Sequence, residues 1–332
     1  MQHIGIDLAW GEGTDTKPAN ETGLAVIDDD GRVVEAGWTR GVDETVERLL
    51  DIAQPGAVVA IDAPLVIPNA TGNRPAESAV ARGYGRWQVS ANPSNRAMRW
   101  QAGVTLRERL EAEGFVYADG TARPDPEART LLEVYPYTTI VGMWELGYDR
   151  ERPRYKRLPP KADPAQARLD RAAACDELLR RVAALAVAET PLDLSTHPET
   201  ARLLDTPSPI EDGPYKHRED LLDAVLCAWT AAIWASHPER VQVLGADSEP
   251  DEQGRRATIV APARPEQRPG RHPETKQQPS PPPADPLERT RAQLHEVAEL
   301  AATLTERIRR LERDLGRPAR RERSERPRGG NG

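Results

Sequence analysis

The sequence predicts an α/β fold, a mixed sheet with flanking helices, and three stretches carry that prediction. "HIGIDLAW" near the start is followed by "TGLAVIDDDGRVVEAGW", which reads as a hairpin around the "DDDG" turn. "AVVAIDAPL" is apolar without polar alternation, as a central strand covered on both faces must be. "HREDLLDAVLCAWTAAIWA" is a long, late, acid-bearing helix.

The elements between them are assigned in order. "HIGIDLAW" is a strand, and residues 43–54 are helical, with Val46, Leu49, Leu50 and Ala53 on one face. Residues 70–130 are rich in Arg, Trp, Asn and Gly, with one helix expected around 103–113. "RTLLEVYPY" reads as a strand, residues 164–188 as an Ala- and Arg-rich helix, and "RVQVLG" and "RATIVAP" as a closing strand pair. The folded domain is expected to span residues 1–261.

The chain changes character after that. Residues 262–285 are dense in Pro with little that is apolar, and are expected to be a disordered linker. Asp285 as N-cap, Pro286 at N1 and Glu288 at N3 then open a helix over 286–315. Its apolar positions, from Leu287 through Leu294, Val297, Ala301, Leu304, Ile308 and Leu311 to Leu315, follow a heptad broken only by Thr290. This predicts a coiled coil that pairs two copies or binds a helical partner through residues 287–315. Residues 316–332 are expected to be a disordered basic tail.

Composition limits the function classes. The 332 residues carry a formal net charge of -8, which argues against a generic polyanion binder. Cys175 and Cys227 lie in apolar, helix-like contexts and are expected as buried free thiols. Asp7 interrupts the N-terminal apolar run that could serve as a signal, and no stretch approaches a membrane span. A cytoplasmic protein with no membrane partner is expected.

The order of elements is similar to the ribonuclease H-like fold. In that fold the first strand and the central strand lie side by side, so Asp7 and Asp62 would meet at one sheet edge. Buried carboxylates are costly unless paired or bound to metal, and converging ones repel, which makes a divalent cation the natural partner. On the late helix Asp220 and Asp223 are three apart and share a face. The expected metal ligands are Asp7, Asp62, Asp220 and Asp223, with Mg²⁺ or Mn²⁺ as the cofactor suited to an all-carboxylate site.

"GIDLAW", "AIDAPL", "EVYPY" and "EDLLDAVLCAWTA", in this order, resemble the predicted-nuclease family called domain of unknown function 429. The resemblance covers residues 1 to about 261, and implies a ribonuclease H-like fold. It also implies catalytic roles for Asp7, Asp62, Glu133 and Asp223, of which Glu133 rests on the resemblance alone. Arg82, Arg86, Asn92 and Arg96 stand where an Arg-bearing segment is expected. Lys156 and Lys161 are candidates to contact phosphates or close over the site, and His217 to transfer a proton.

Three function classes are open. The leading one is a nuclease, a phosphodiesterase in which two divalent ions about 4 Å apart activate water and stabilise the leaving oxygen. Its nucleic-acid substrate could be DNA, RNA, a junction or a nucleotide. The second is a phosphotransferase of the actin-like architecture, against which stand a weak "GEGT" turn and a single copy of the fold. The third is a non-catalytic scaffold assembled by the coiled coil.

Overall fold

The computed structural model describes residues 1–268 apart from 15, 17, 160 and 161. The expected coiled coil, the basic tail, nearly all of the linker and Lys161 lie outside the described residues. A six-stranded mixed sheet forms the centre, in the order β3-β2-β1-β4-β6-β5. Strands β1 (His3–Asp7), β2 (Glu21–Ile27) and β3 (Val33–Arg40) form an antiparallel meander. Strand β4 (Val58–Ile61) runs parallel to β1, and β6 (Arg129–Glu133) runs parallel to both β4 and β5 (Phe115–Tyr117). Every residue of β1 and β4 is buried, because both faces of the sheet are covered.

Side chains alternate between those faces. Ile4, Ile6, Val59, Ile61 and Leu131 join a core with α1 (Gly41–Ile52) and α3 (Ala102–Ala112). Ala60, Val58 and Leu132 face the other way, into the larger core. That core contains α2 (Pro75–Tyr84), α4 (Pro136–Gly142), α5 (Pro164–Ala183), α6 (Pro198–Asp205) and α7 (Asp212–Ser236).

Helix α7 is the late acidic helix, and from Arg218 to Trp234 every residue is buried. It lies against β1, β2 and β4. Two strand glycines permit this. A Cβ on Gly5 would fall 1.9 Å from the Ala224 carbonyl oxygen, and one on Gly23 would fall 2.0 Å from that of Asp220. With hydrogen there instead, the helix backbone rests directly on the sheet.

Several sequence expectations are adjusted. The strand expected through Tyr137 stops at Glu133, because Pro136 takes the first turn of α4 and holds Tyr135 extended before it. Glu133 therefore ends a strand rather than opening a motif. Helix α2 lies in the region where only α3 was expected. Its opening residue is Arg74, not a usual N-cap, and its cap is supplied by Glu77, which accepts from the Arg74 backbone N–H at 2.9 Å. The 164–188 helix ends at Ala183 and tightens into a 3₁₀ turn over Ala184–Val187.

The expected closing pair forms as β7 (Val241–Leu244) and β8 (Ile259–Pro262), an antiparallel two-stranded sheet. Ordered contacts run past the boundary expected at 262. Tyr84 donates its hydroxyl to the Pro262 carbonyl, and Arg264 is buried, donating to the carbonyls of Val141 (2.7 Å) and Tyr148 (2.9 Å). Arg264→Ala leaves those two acceptors without their donor. We expect it to lower stability by about 2 kcal/mol, read as a lower midpoint in urea unfolding of the full chain. Both cysteines are buried free thiols, as expected. Among the described residues no helix is long and apolar enough to cross a membrane.

Candidate active site

Asp7 is the last residue of β1 and shares the face of Gly5, so it points toward α7. Asp62 follows β4 directly, and its backbone N–H donates to the Ile6 carbonyl at 2.8 Å, which locks it beside Asp7. Asp223 rises from the buried face of α7. One oxygen from each of these three carboxylates lies within 4.8 Å of the others. The convergence expected of Asp7, Asp62 and Asp223 is present, although the two outermost are 216 positions apart (223 − 7).

Two lysines stand among the acids. Lys156 Nζ is 2.5 Å from Asp223 Oδ2 and 3.7 Å from Asp62 Oδ2. The fully buried Asp223 Oδ2 is thus partnered by the Lys156 ammonium. Asp223 Oδ1 accepts from the Tyr155 hydroxyl at 2.6 Å. Lys216, half exposed, lies 3.7 Å from Asp7 and 3.3 Å from Glu219, and pairs closely with Asp220. Five carboxylates (Asp7, Asp62, Glu219, Asp220 and Asp223) thus face two ammonium groups.

The electrostatics follow from burial and crowding. Burial first, and the charges of Asp7 and Asp223 next, push Asp62 well above the usual carboxylate range, with Lys156 opposing. Burial raises Asp223 too, again against Lys156. Asp220 is pushed up to about 9 by burial and then by Asp7, and Glu219 to about 7 by burial, with Lys216 pulling the other way. The carboxylates hold Lys156 firmly protonated despite its burial. Five carboxyl groups thus outnumber the two lysines set among them. That donor set fits a hard divalent cation.

The remaining expected residues are placed differently. Asp220 stands beside Asp7 but outside the three-way convergence, engaged with Lys216. Glu133 shares the strand face of Leu131, the face opposite α7. Both of its oxygens accept from the buried Arg74 guanidinium, at 2.5 and 2.8 Å, and Oε2 also takes the Leu65 N–H at 3.0 Å. Glu133 is thus a strut that holds the loop after Asp62. His217 stacks on Trp38, with ring centroids 3.6 Å apart, and pairs with Glu21, outside the carboxylate group. Sequence reasoning missed Glu219, Tyr155 and Lys216. Glu219 and Lys216 lie one turn or less from Asp220 on the helix already singled out, which was the available signal.

Asp7, Asp62, Glu219 and Asp220 line a cavity of about 590 Å³. Arg152, Lys156, Arg157, Arg171 and Lys216 line it, together with Tyr135, Tyr137 and Trp10. Of the Arg-segment candidates only Asn92 reaches it. Arg86 pairs with Glu266 and lies over Trp87, while Arg82 and Arg96 are exposed elsewhere. The basic wall comes instead from residues 152–171.

Fold and site together define a mixed α/β protein with an acidic cleft walled by basic side chains. A family model described as Protein of unknown function (DUF429) matches residues 5–250, and the chain belongs to that family. No curated protein and no solved structure gave a match.

Proposed function

We propose that this protein is a divalent-metal-dependent phosphodiesterase acting on nucleic acid, built on a ribonuclease H-like fold. The fold reading is supported by the strand order, with its antiparallel meander continued by parallel strands, and by an acid-bearing final helix laid across the first and central strands. The observation that carries the function is the convergence of Asp7, Asp62 and Asp223, the first two of which line a basic-walled cleft with Asp223 buried just behind them.

Asp7, Asp62 and Asp223 would hold Mg²⁺ or Mn²⁺, which supplies Lewis-acid polarisation of a phosphoryl oxygen and an activated water. The chain's own groups do the rest. Arg152 and Arg157 on the cleft wall neutralise the entering phosphodiester. Lys156 and Lys216 hold the apo carboxylates together and are placed to turn to phosphate oxygens. Tyr155 fixes the Asp223 carboxylate in one orientation through its 2.6 Å hydrogen bond.

The test is cleavage of labelled single-stranded DNA, RNA and duplex in Mn²⁺ or Mg²⁺, with and without chelator. Asp223→Asn and Asp62→Asn should each lower the rate by about a thousandfold, the size of effect expected when charge stabilisation of several kcal/mol is removed. Metal-independent cleavage, or full activity in both variants, would overturn the reading. One observation favours the alternative of a non-catalytic scaffold: Lys156 already supplies an internal cation to Asp223 and Asp62. Absence of turnover on every substrate, with no stabilisation by either ion, would select it.

A further inference from the structure

We infer that the carboxylate centre holds one divalent ion and not two, and that Lys156 is a fixed cation standing in place of the second. This rests on the metal-dependent reading above and assigns the stoichiometry of that same site.

Two-ion centres hold their ions about 4 Å apart, so the same few carboxylates must serve both. Here a side chain of the protein already takes one share. Lys156 Nζ lies 2.5 Å from Asp223 Oδ2 and 3.7 Å from Asp62 Oδ2, so it bridges two of the three converging acids. Asp7, the third, pairs with Lys216 instead. The two lysines are held differently. Lys216 is 55% exposed, and its closest partners, Glu219 and Asp220, stand three and four positions further along α7. Such pairs on a helix surface are weak.

Lys156 is only 18% exposed. Its Nζ also lies 5.3 Å from the Tyr137 ring centroid and 5.8 Å from that of Tyr155, within cation–π range. The backbone that carries it is pinned from both sides. Tyr155 is buried, donates its hydroxyl to Asp223 Oδ1 at 2.6 Å, and accepts at its carbonyl from the Tyr215 hydroxyl. The Arg152 N–H donates to the Trp87 carbonyl at 3.1 Å, and its Nε to the Gln88 carbonyl at 2.8 Å. An entering ion therefore displaces Lys216 and leaves Lys156 seated. An ammonium carries three protons. With two carboxylates as neighbours, Lys156 keeps one proton for a phosphate oxygen, which brings a second positive charge to the phosphodiester without a second ion.

The experiment titrates metal-free full-length protein with Mn²⁺ and counts bound ions from the loss of the free-ion electron paramagnetic resonance signal. Ions that also bind the Asp7→Asn, Asp62→Asn double variant are subtracted. The wild type should bind one ion. Lys156→Met should bind two, and Lys156→Arg, which keeps the charge, should bind one. Lys216→Met should bind one on the order of tenfold more tightly, because a competing cation is gone. Circular dichroism checks that each variant is folded. Two ions in the wild type, or a single ion in folded Lys156→Met, would overturn the inference and leave the metal-dependent reading standing. If Lys156→Met does not fold, the wild-type count and Lys216→Met decide: an affinity unchanged or weakened in Lys216→Met means that Lys216 is not the lysine that gives way, and the inference fails. If the wild type binds no ion, the metal-dependent reading and the inference fall together.

Discussion

Asp7→Asn raises the melting temperature of the metal-free protein and shrinks the further rise produced by Mg²⁺ or Mn²⁺. The charge of Asp7 pushes Asp62, Asp220 and Asp223 toward their neutral forms. Against that repulsion stand the half-exposed Lys216 at 3.7 Å and, more remotely, Lys156. Removing the Asp7 charge relieves the repulsion on four carboxyl groups, Glu219 included, and weakens the attraction to two lysines. A net gain of about 1 kcal/mol corresponds to a rise of about 2–4 °C in a domain of this size. Asp223→Asn has the opposite sign. It strips the half-buried Lys156 of its closest carboxylate and leaves it only Asp62 at 3.7 Å, and breaking such a pair on one side is destabilising.

The pH dependence follows from the same crowding. Asp220 and Glu219 have folded values raised to about 9 and about 7, above the usual range near 4. Between those limits the folded state holds protons that the unfolded state has released, so stability falls as pH rises. The contribution is complete below the unfolded values and is lost as pH climbs through the folded ones. Melting curves of the metal-free protein should therefore decline from about pH 5 to pH 9, and saturating Mg²⁺ should flatten the decline. A wild type whose melting is indifferent to both ions would exclude the site, and a metal-free Asp7→Asn that melts lower would mean that Lys216 outweighs the repulsion.

Gly5→Ala should unfold the protein or lower its stability by about 3 kcal/mol or more, the upper end of overpacking. The added Cβ would meet the Ala224 oxygen at 1.9 Å and the Ala228 nitrogen at 2.3 Å, and both are backbone atoms that no rotamer change can move aside. The helix would have to lift from the sheet, carrying Asp220 and Asp223 away from Asp7. Any folded fraction should therefore lose its response to Mg²⁺ as well. Gly37→Ala is the control, because nothing lies within 4 Å of the Cβ it would gain on β3. Urea unfolding of both variants separates the outcomes. Equal stability would mean that α7 does not rest on β1 as closely as 1.9 Å implies.

The convergence of acids was legible because its causes are local. An Asp closing an uninterrupted apolar strand, twice, and a pair of Asp residues on an otherwise apolar helix each conflict with burial unless the charges meet something. Those conflicts identify Asp7, Asp62 and Asp223 from sequence. The strand pair, the hairpin and the late helix were legible from periodicity for the same reason. Glu133 was not, because which strand face it occupies depends on the register of β6 against β4, with Ile61 opposite Glu133. Its partner Arg74 lies 59 positions away on a helix whose cap carries no usual signature. Lys156 was legible as a group able to close over the site, but its pairing with Asp223, and Tyr155 beside it, were not, because their loop has no periodicity and only packing against α7 brings them across 67 and 68 positions of chain to Asp223. The sequence by itself determined which carboxylates could not be left alone in the core. The tertiary structure decided which cations they meet and which acid is diverted into a strut, because those outcomes depend on contacts between distant segments that no local pattern encodes.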